Sequence, residues 1–519
     1  MRSSTAAAAA VLSTLLCLNL FVPCASADEA SEITWPTKGW ETSTPEDQGM
    51  DSIALAKLVD AVGARRQDSL LIIRHGKIVA EAYYAPYEAG VRHDLRSVTK
   101  SVIGSLMGIA VQDGFLNSVD DRIVDLFSDR QIENIDPRKE EMTVQSLLDM
   151  TSGLRWKEEH YTPDETIMQM YQAYDHTKFV LDQPMSAKPG SIFYYNGGNP
   201  YLLSALITKQ TSKSAYDFAK YQLFQPLGIS DLRWGRVDNQ GVTDGESGLF
   251  LEPRDMAKLG YLYLRNGVWE GKQILPTWWV DRVKEGRIEA SYGRHYANLW
   301  WSLPTRHAFM ALGRHSQLIL VLPDLDIVAV MTGVMWDDEY YSTAKLIDAI
   351  AGATKPETPL PPNPDGLSLL AESIKRAAME APCLMPEPPD TAKAISGKTY
   401  EFPSNVLHVK TLTLRLTEPR PSWEYTTDTG EDHTIRHFAG LIGLDGRYRK
   451  SPPASYGIDA VKGRWIDDDT FEVERRILGH GETEIWVLRF QGDAIDASYE
   501  TTDGFKEGLR GHALRPDGE

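Results

Sequence analysis

The sequence predicts an α+β domain followed by a small all-β domain. Three observations lead there. A helix-spaced stretch at 51–64 and a hairpin at 70–84 precede a helix that begins at Ser97 and is apolar almost all round. Strand-like runs at Leu299 to Leu303, Phe309 to Leu312, Leu318 to Val321 and Ile327 to Thr332 are closed by a helix, Thr343 to Ala351. After two proline-rich stretches the pattern turns to short alternating strands. A hairpin and late strands around a mainly helical middle describe an antiparallel sheet with a helical subdomain.

Taken in order, Arg2 precedes an apolar run from Ala6 to Val22, and Ala25-Ser26-Ala27 supplies the small-x-small pattern of a signal-peptidase site. The expectation is a signal peptide over 1–27 and a periplasmic or secreted mature chain. Pro23 and the polar residues behind it argue against a buried first helix, and the run is short for a membrane anchor. Cys17 and Cys24 lie within it, so cleavage leaves Cys383 alone and no intramolecular disulfide. The formal charge of −19 disfavours nucleic acid and anionic membranes as partners.

Ile53, Leu55, Leu58, Val59 and Val62 give the first helix, and His75-Gly76-Lys77 turns the hairpin. From about 118 to 270 the pattern is mainly helical with long loops. It includes a short helix at Thr143 to Met150, a Pro189-Gly190 turn, and helical spacing from Pro200 to Thr211. Pro356, Pro359, Pro361, Pro362 and Pro364 read as a stiff linker with little capacity to pack, carrying one helix, Leu369 to Ala381. Leu412, Leu414 and Leu416 then alternate with polar residues, as strands of a barrel-like domain would. The expected domains are 28–353, a linker over 354–393, and a C-terminal β domain over 394–519.

Chemistry concentrates at Ser97 and Lys100. Val98, Val102, Ile103, Leu106, Met107, Ile109 and Ala110 fall at helical spacing from Ser97, and Gly114 marks the stop. Residues three apart share a helix face, so the Lys100 ammonium reaches the Ser97 hydroxyl. A serine needs a base to attack a carbonyl, and burial is one route to a basic lysine. Helix N-terminal N–H groups face the place where an oxyanion would develop. Spacing alone also fits a capping serine with a surface lysine, as in Ser342-Thr-Ala-Lys345, where Ser342 reads as the N-cap of an exposed helix. Farther on, Tyr194 and Asn196 place a phenol and an amide two residues apart, able to relay a proton and orient a carbonyl, or simply to pack.

Four stretches in order settle between these readings. Ser97-Val-Thr-Lys100, the Leu147 to Leu154 segment, Pro189-Gly190 through Asn196, and Pro253-Arg-Asp-Met-Ala257 resemble the landmarks of the serine β-lactamase and penicillin-binding-protein superfamily. The resemblance covers about residues 40–353. It is strongest to the class C-like branch of esterases, D-aminopeptidases and 6-aminohexanoate-dimer hydrolases. It implies the β-lactamase-like (DD-peptidase) fold and an acyl-enzyme hydrolase; with no His-Glu-x-x-His, paired Cys-x-x-Cys or nucleotide-type glycine-rich loop in the sequence, no metal and no cofactor are expected. Ser97 becomes the nucleophile, Lys100 a general base, Tyr194 the partner in proton transfer, and Asn196 a contact to a substrate amide. The substrate implied is a small ester or amide.

The superfamily's Lys-Thr-Gly strand motif is represented here by Ala311-Leu312-Gly313. Gly313 keeps the backbone bare, and the Arg314 N–H joins that of Ser97 as an oxyanion hole in this reading. Ala311 replaces the lysine that helps hold a penicillin carboxylate, which lowers the expectation of β-lactam turnover. Arg314 and His315 read either as contacts to a polar or anionic substrate group or as a surface charge and a strand residue. Trp156, Trp300 and Trp301 read as core side chains or as an acyl pocket. Two rival functions remain: a β-lactamase or D,D-/D-amino-acid peptidase, and a non-catalytic binding or sensor protein on the same fold. In some members of the superfamily an added β domain reaches the active-site mouth and limits substrate size, which the resemblance extends to the C-terminal domain here.

Overall fold

The computed structural model describes residues 33–514 apart from 236, 335–342, 382, 384, 386, 429–433 and 455–456. The expected signal peptide over 1–27 and the Ser342 cap lie outside the described residues.

The hairpin forms as strands Gln67–Arg74 and Lys77–Tyr83, and the late strands as Trp300–Leu303, Ala308–Gly313, Gln317–Leu322 and Ile327–Gly333. Among the described residues they belong to one nine-stranded sheet in which Gln67–Arg74 lies beside Ile327–Gly333. Neighbours run antiparallel except at the edge, where Glu41–Thr42 pairs parallel with Lys77–Tyr83. Side chains alternate across a strand, so each strand feeds two cores. Leu71, Ile73, Ile319 and Val330 face the large helical side. Leu70, Ile72, Leu320 and Ala329 face the other, against helices Ser52–Gly63 and Thr343–Ala353. Burial on both faces explains why these strands read as unbroken apolar runs.

The organising helix is Val98–Gln112, and every residue from Val98 to Ala110 is buried. It lies so close to its neighbours that a Cβ on Gly104 would come within 2.3 Å of the Asn298 carbonyl oxygen. Its end is set by Gly114, in the left-handed region at φ +76°.

The proline-rich linker differs from expectation. Its helix is Pro364–Ala377, five residues earlier at its start than the apolar spacing suggests, because Pro364 takes the first helical position and the Asn363 side chain caps it. The segment is packed. Lys355 and Leu360 donate backbone hydrogen bonds to Gly49 and Glu46, Leu370 is buried in the core beside helix Ser52–Gly63, and Ser373 and Arg376 bond Asp60. Prolines at the ends of a helix leave its interior free to build an apolar face, which a count of prolines misses.

Beyond it lies a sheet that has ten antiparallel strands among the described residues, with Ile435–Leu441 at one end of the order and Arg449–Lys450 at the other. It curls until it nearly closes. Gly443, just past the first end strand, accepts from Gly463 and donates to Val461, both in strand Ile458–Trp465 near the other end. Leu412, Leu414, Leu416, Phe471, Val473 and Trp486 fill its interior. The turn between strands Thr470–Leu478 and Glu482–Gln491 reaches the residues ahead of Ser97: the Asp94 N–H donates to the Gly479 carbonyl and the Arg96 guanidinium to that of His480. Behind them, Arg476 lies 2.6 Å from Asp68, which lies 3.1 Å from His93, all three buried. Burial alone would push the Asp68 carboxyl up, but Arg476 and His93 outweigh it and hold it below the usual carboxylate range.

Candidate active site

Ser97 precedes the first turn of helix Val98–Gln112, half-buried, and faces a cavity of about 930 Å³. The residue before it, Arg96, sits in the left-handed region at φ +49°. That is a costly conformation for a residue with a Cβ, held here by the Arg96 N–H on the Asp94 carboxylate and by the guanidinium 2.6 Å from Glu482. The C-terminal sheet therefore helps set the backbone that presents Ser97.

Lys100 is almost wholly buried, with Nζ 2.8 Å from Ser97 Oγ. The same ammonium donates to the Glu246 carbonyl at 3.0 Å and to its carboxylate Oε1 at 3.1 Å. Tyr171 donates to the other carboxylate oxygen, Oε2, at 2.7 Å. Burial alone would push Lys100 down; the carboxylates of Glu246 and Glu158 outweigh it and hold Lys100 above its ordinary value. Glu158 accepts from Trp156 Nε1 and from the Gly197 N–H, both at 2.5 Å. Burial pushes its carboxyl up to about 7, against the pull of Lys100 and with the help of the Glu246 charge.

The tyrosine beside this pair is Tyr195, a correction to the sequence reading. The Lys100 Nζ lies 5.0 Å from the Tyr195 ring centroid, and the ring stacks on Trp301 with an interplanar angle of 18°. Side chains alternate through this stretch: Phe193 and Tyr195 pack inward against the core, whereas Ile192 and Tyr194 point out, Tyr194 being 45% exposed. Tyr194 faces the charged loop of Glu159 and Lys157 instead. Asn196 is buried. Its Oδ1 accepts from the Gly198 N–H at the start of helix Gly198–Thr211, and its Nδ2 has no hydrogen-bond partner among the described residues.

Gly313 ends its strand against the segment before Ser97. A Cβ there would meet the Leu95 carbonyl oxygen at 2.3 Å, so only glycine lets the strand approach. Arg314 lies on the cavity wall, 3.6 Å from Asp503 and with its guanidinium over the Tyr161 ring. His315 is not on that wall. It is fully buried with Nε2 2.7 Å from the Asp503 carboxylate, because a left-handed turn at His315 and Ser316 directs it into the contact with the C-terminal sheet's last hairpin. Trp156 and Trp300 are core side chains, and Trp301 is the one that bounds the site through Tyr195.

A family model described as Beta-lactamase matches residues 55–340, more than half of the chain. The chain belongs to the beta-lactamase family. It is thereby a hydrolase of a family that includes esterases and amidases. This beta-lactamase-family chain is 22% identical over 297 residues to a 6-aminohexanoate-dimer hydrolase of Paenarthrobacter ureafaciens, covering 52% of the chain and 73% of that protein. It is 25% identical over 327 residues to an uncharacterized protein of Alkalihalophilus pseudofirmus, covering 54% of the chain and 88% of that protein. Among solved structures, a putative 6-aminohexanoate-dimer hydrolase from Bacillus anthracis superposes with a TM-score of 0.49 at 23% identity, over 56% of this chain and 79% of that one.

Other cavity-lining residues in this beta-lactamase-family chain come from far along the sequence. Tyr161, Met168 and Tyr171 stand on one side, and Glu482, Asp503, Phe505 and Lys506 of the C-terminal sheet on another. Tyr195, Glu158, Glu246 and Tyr171 were not singled out by the sequence reading. Among the described residues no group of three or more His, Cys, Asp or Glu side chains gathers at metal-binding spacing, and no helix is long and apolar enough to cross a membrane.

Proposed function

We propose that the chain is an exported serine hydrolase that cleaves an ester or a small amide through an acyl-enzyme on Ser97. The observation that carries this reading is the 2.8 Å contact between Lys100 Nζ and Ser97 Oγ at the floor of an open cavity. Ser97 Oγ attacks the carbonyl carbon, and its proton passes to the Lys100 and Tyr195 pair. The tetrahedral oxyanion is met by the Ser97 and Arg314 N–H groups. The pair returns the proton to the leaving oxygen or nitrogen as its bond to carbon breaks. Water then repeats the sequence to free the acid. In this reading Asn196, whose Nδ2 has no partner among the described residues, donates to a substrate carbonyl.

Ala311 favours this reading over β-lactamase or D,D-peptidase action, since a buried methyl stands where a carboxylate-binding lysine is expected. A pure binding role is disfavoured by the buried Lys100 and Glu246 pair beneath half-buried Ser97, whose desolvation cost a binding surface has no need to bear. The apolar run and Ala25-Ser26-Ala27 support export. Hydrolysis of p-nitrophenyl butyrate, with nitrocefin as the competing substrate, tests the assignment. Ester turnover with little nitrocefin turnover is expected; the reverse preference makes the protein a β-lactamase.

A further inference from the structure

Two strained backbone segments meet beside Ser97, and the C-terminal sheet supplies a carboxylate to each. Arg96 is left-handed at φ +49° and its guanidinium reaches Glu482. His315 and Ser316, in the turn after Gly313, are both left-handed, at φ +62° and +68°. Neither has the freedom of glycine, so two consecutive residues in that region persist only where their surroundings hold them. From inside the fold, the buried Gln317 amide donates to the carbonyls of Arg314 at 3.3 Å, His315 at 3.1 Å and Gly333 at 2.8 Å. From the other side, the Asp503 carboxylate stands 2.7 Å from His315 Nε2 and 3.6 Å from Arg314 Nε.

Asp503 is itself fixed. It sits in the turn between strands Ala494–Thr501 and Lys506–Ala513. Thr502, just before it, is tied twice to the neighbouring strand: its N–H donates to the Thr483 carbonyl and its hydroxyl accepts from the Thr483 N–H, each at 3.0 Å. Thr483 follows Glu482, so one pair of strands sets both carboxylates. The turn ahead of Glu482 lies against Gln317 as well, since a Cβ on Gly481 would come within 3.4 Å of Gln317 Nε2. Burial alone would push the Asp503 carboxyl up; His315, Arg314 and Arg96 outweigh it and hold it below the usual carboxylate range. The two strained segments also touch, a Cβ on Gly313 falling 3.2 Å from Arg96 Cβ. A shift of the turn after Gly313 therefore moves the Arg314 N–H relative to Ser97.

Resting on the serine-hydrolase reading, we propose that Asp503 is a positioning residue for the reaction at Ser97. From the last hairpin of the C-terminal sheet it holds the His315–Ser316 turn, and through that turn the Arg314 N–H, in register with Ser97. Its route to the chemistry runs through His315 and Arg314 rather than through the substrate. Removing its charge leaves Ser97 and Lys100 in place and slackens the oxyanion donor contributed by Arg314. The tetrahedral state needs that donor more than the bound ester does, so the loss falls on kcat.

The test compares the full-length wild type with Asp503→Asn and Asp496→Asn, with Ser97→Ala alongside. Asp496→Asn removes a carboxylate of the same hairpin that pairs with Arg510 at the surface. The readouts are kcat and KM for p-nitrophenyl butyrate, the melting temperature, and the inhibition constant of butylboronic acid, whose tetrahedral adduct on Ser97 draws on the same donors. Asp503→Asn is expected to lose about 10–100-fold in kcat with KM within about twofold, and to weaken the boronic acid by a similar factor. Asp496→Asn is expected to stay within about twofold throughout. An unchanged kcat in folded Asp503→Asn overturns the proposal, and so does a loss carried by KM alone, which makes Asp503 a substrate contact. A kcat loss with boronic acid binding unmoved overturns it too, as does an equal loss in Asp496→Asn, the mark of a sheet generally loosened. Should Asp503→Asn not fold, Asp503→Glu, which keeps the charge and displaces it by one methylene, takes its place, with the same split expected and the same results overturning it. Ser97→Ala keeps the two levels separate. Activity in that variant removes the serine-hydrolase reading itself, whereas an inactive Ser97→Ala beside a normal Asp503→Asn removes the positioning role alone.

Discussion

Two adjacent tyrosines offer a sharp comparison, because they differ only in which way the chain turns them. Tyr195→Phe removes one oxygen and leaves the ring on Trp301 in place, so a loss in rate reports the hydroxyl and not collapsed packing. A proton-transfer group contributes about 10²–10⁴-fold, or about 2.7–5.4 kcal/mol of barrier. The structure puts the Tyr195 ring beside Lys100 and Tyr194 on the surface, 45% exposed, so the proposed role falls to Tyr195. Tyr194→Phe should therefore stay within about 0.5 kcal/mol, roughly twofold. The assay is kcat and KM for p-nitrophenyl butyrate in both variants, with melting curves to confirm folding. Tyr195→Phe is expected to lose kcat at nearly constant KM, because the hydroxyl acts in the chemical step. A hundredfold loss in Tyr194→Phe with Tyr195→Phe near wild type would refute the assignment and return the role to Tyr194.

Other consequences follow from single contacts. Gly313→Ala places a Cβ 2.3 Å from the Leu95 carbonyl oxygen and should cost about 1–3 kcal/mol in a urea melt and at least tenfold in kcat, since Leu95 and Arg96 carry Ser97. Arg476→Ala strands the buried Asp68 carboxylate and should destabilise by about 3–5 kcal/mol, measured by urea melts at pH 7. Because the native Asp68 carboxyl titrates below its unfolded value, that stabilisation is complete above pH about 4 and fades as the pH falls through the lower native value. Glu158 works in the opposite sense. With a native value of about 7 against 4.5 it binds more protons folded than unfolded between them, so stability falls as pH rises through that window, and Glu158→Gln should remove this slope in pH-dependent melts. Phe505→Ala should open the cavity wall and move the preferred p-nitrophenyl ester toward longer acyl chains; an unchanged chain-length profile counts against a role for the C-terminal sheet in substrate choice.

Much of the fold was legible because its elements follow local rules. The hairpin, the four late strands and the helix after Ser97 carry apolar patterns that burial on one or two faces imposes. The pairing of Ser97 with Lys100 was legible too, since it lies within one helical turn. Tyr195 was hidden because two neighbouring tyrosines are identical in type, and only the alternation that buries Phe193 and exposes Ile192 tells them apart. Glu246 and Glu158 stand 146 and 58 positions beyond Lys100 and Lys100 meets them only in three dimensions, with no periodicity to mark them. His315 looked available in sequence, yet Asp503 from the last hairpin covers it. The linker was misjudged for a related reason: its prolines are visible, while the apolar face of helix Pro364–Ala377 has meaning only against helix Ser52–Gly63.

The most direct measurement of the central claim is the intact mass of the protein after exposure to a fluorophosphonate, with peptide mapping, in wild type and Ser97→Ala, beside the rate of p-nitrophenyl butyrate hydrolysis. One adduct on Ser97, absent from the variant, together with loss of hydrolysis in both the labelled protein and the variant, is the result this account predicts. Full hydrolytic activity in Ser97→Ala contradicts it.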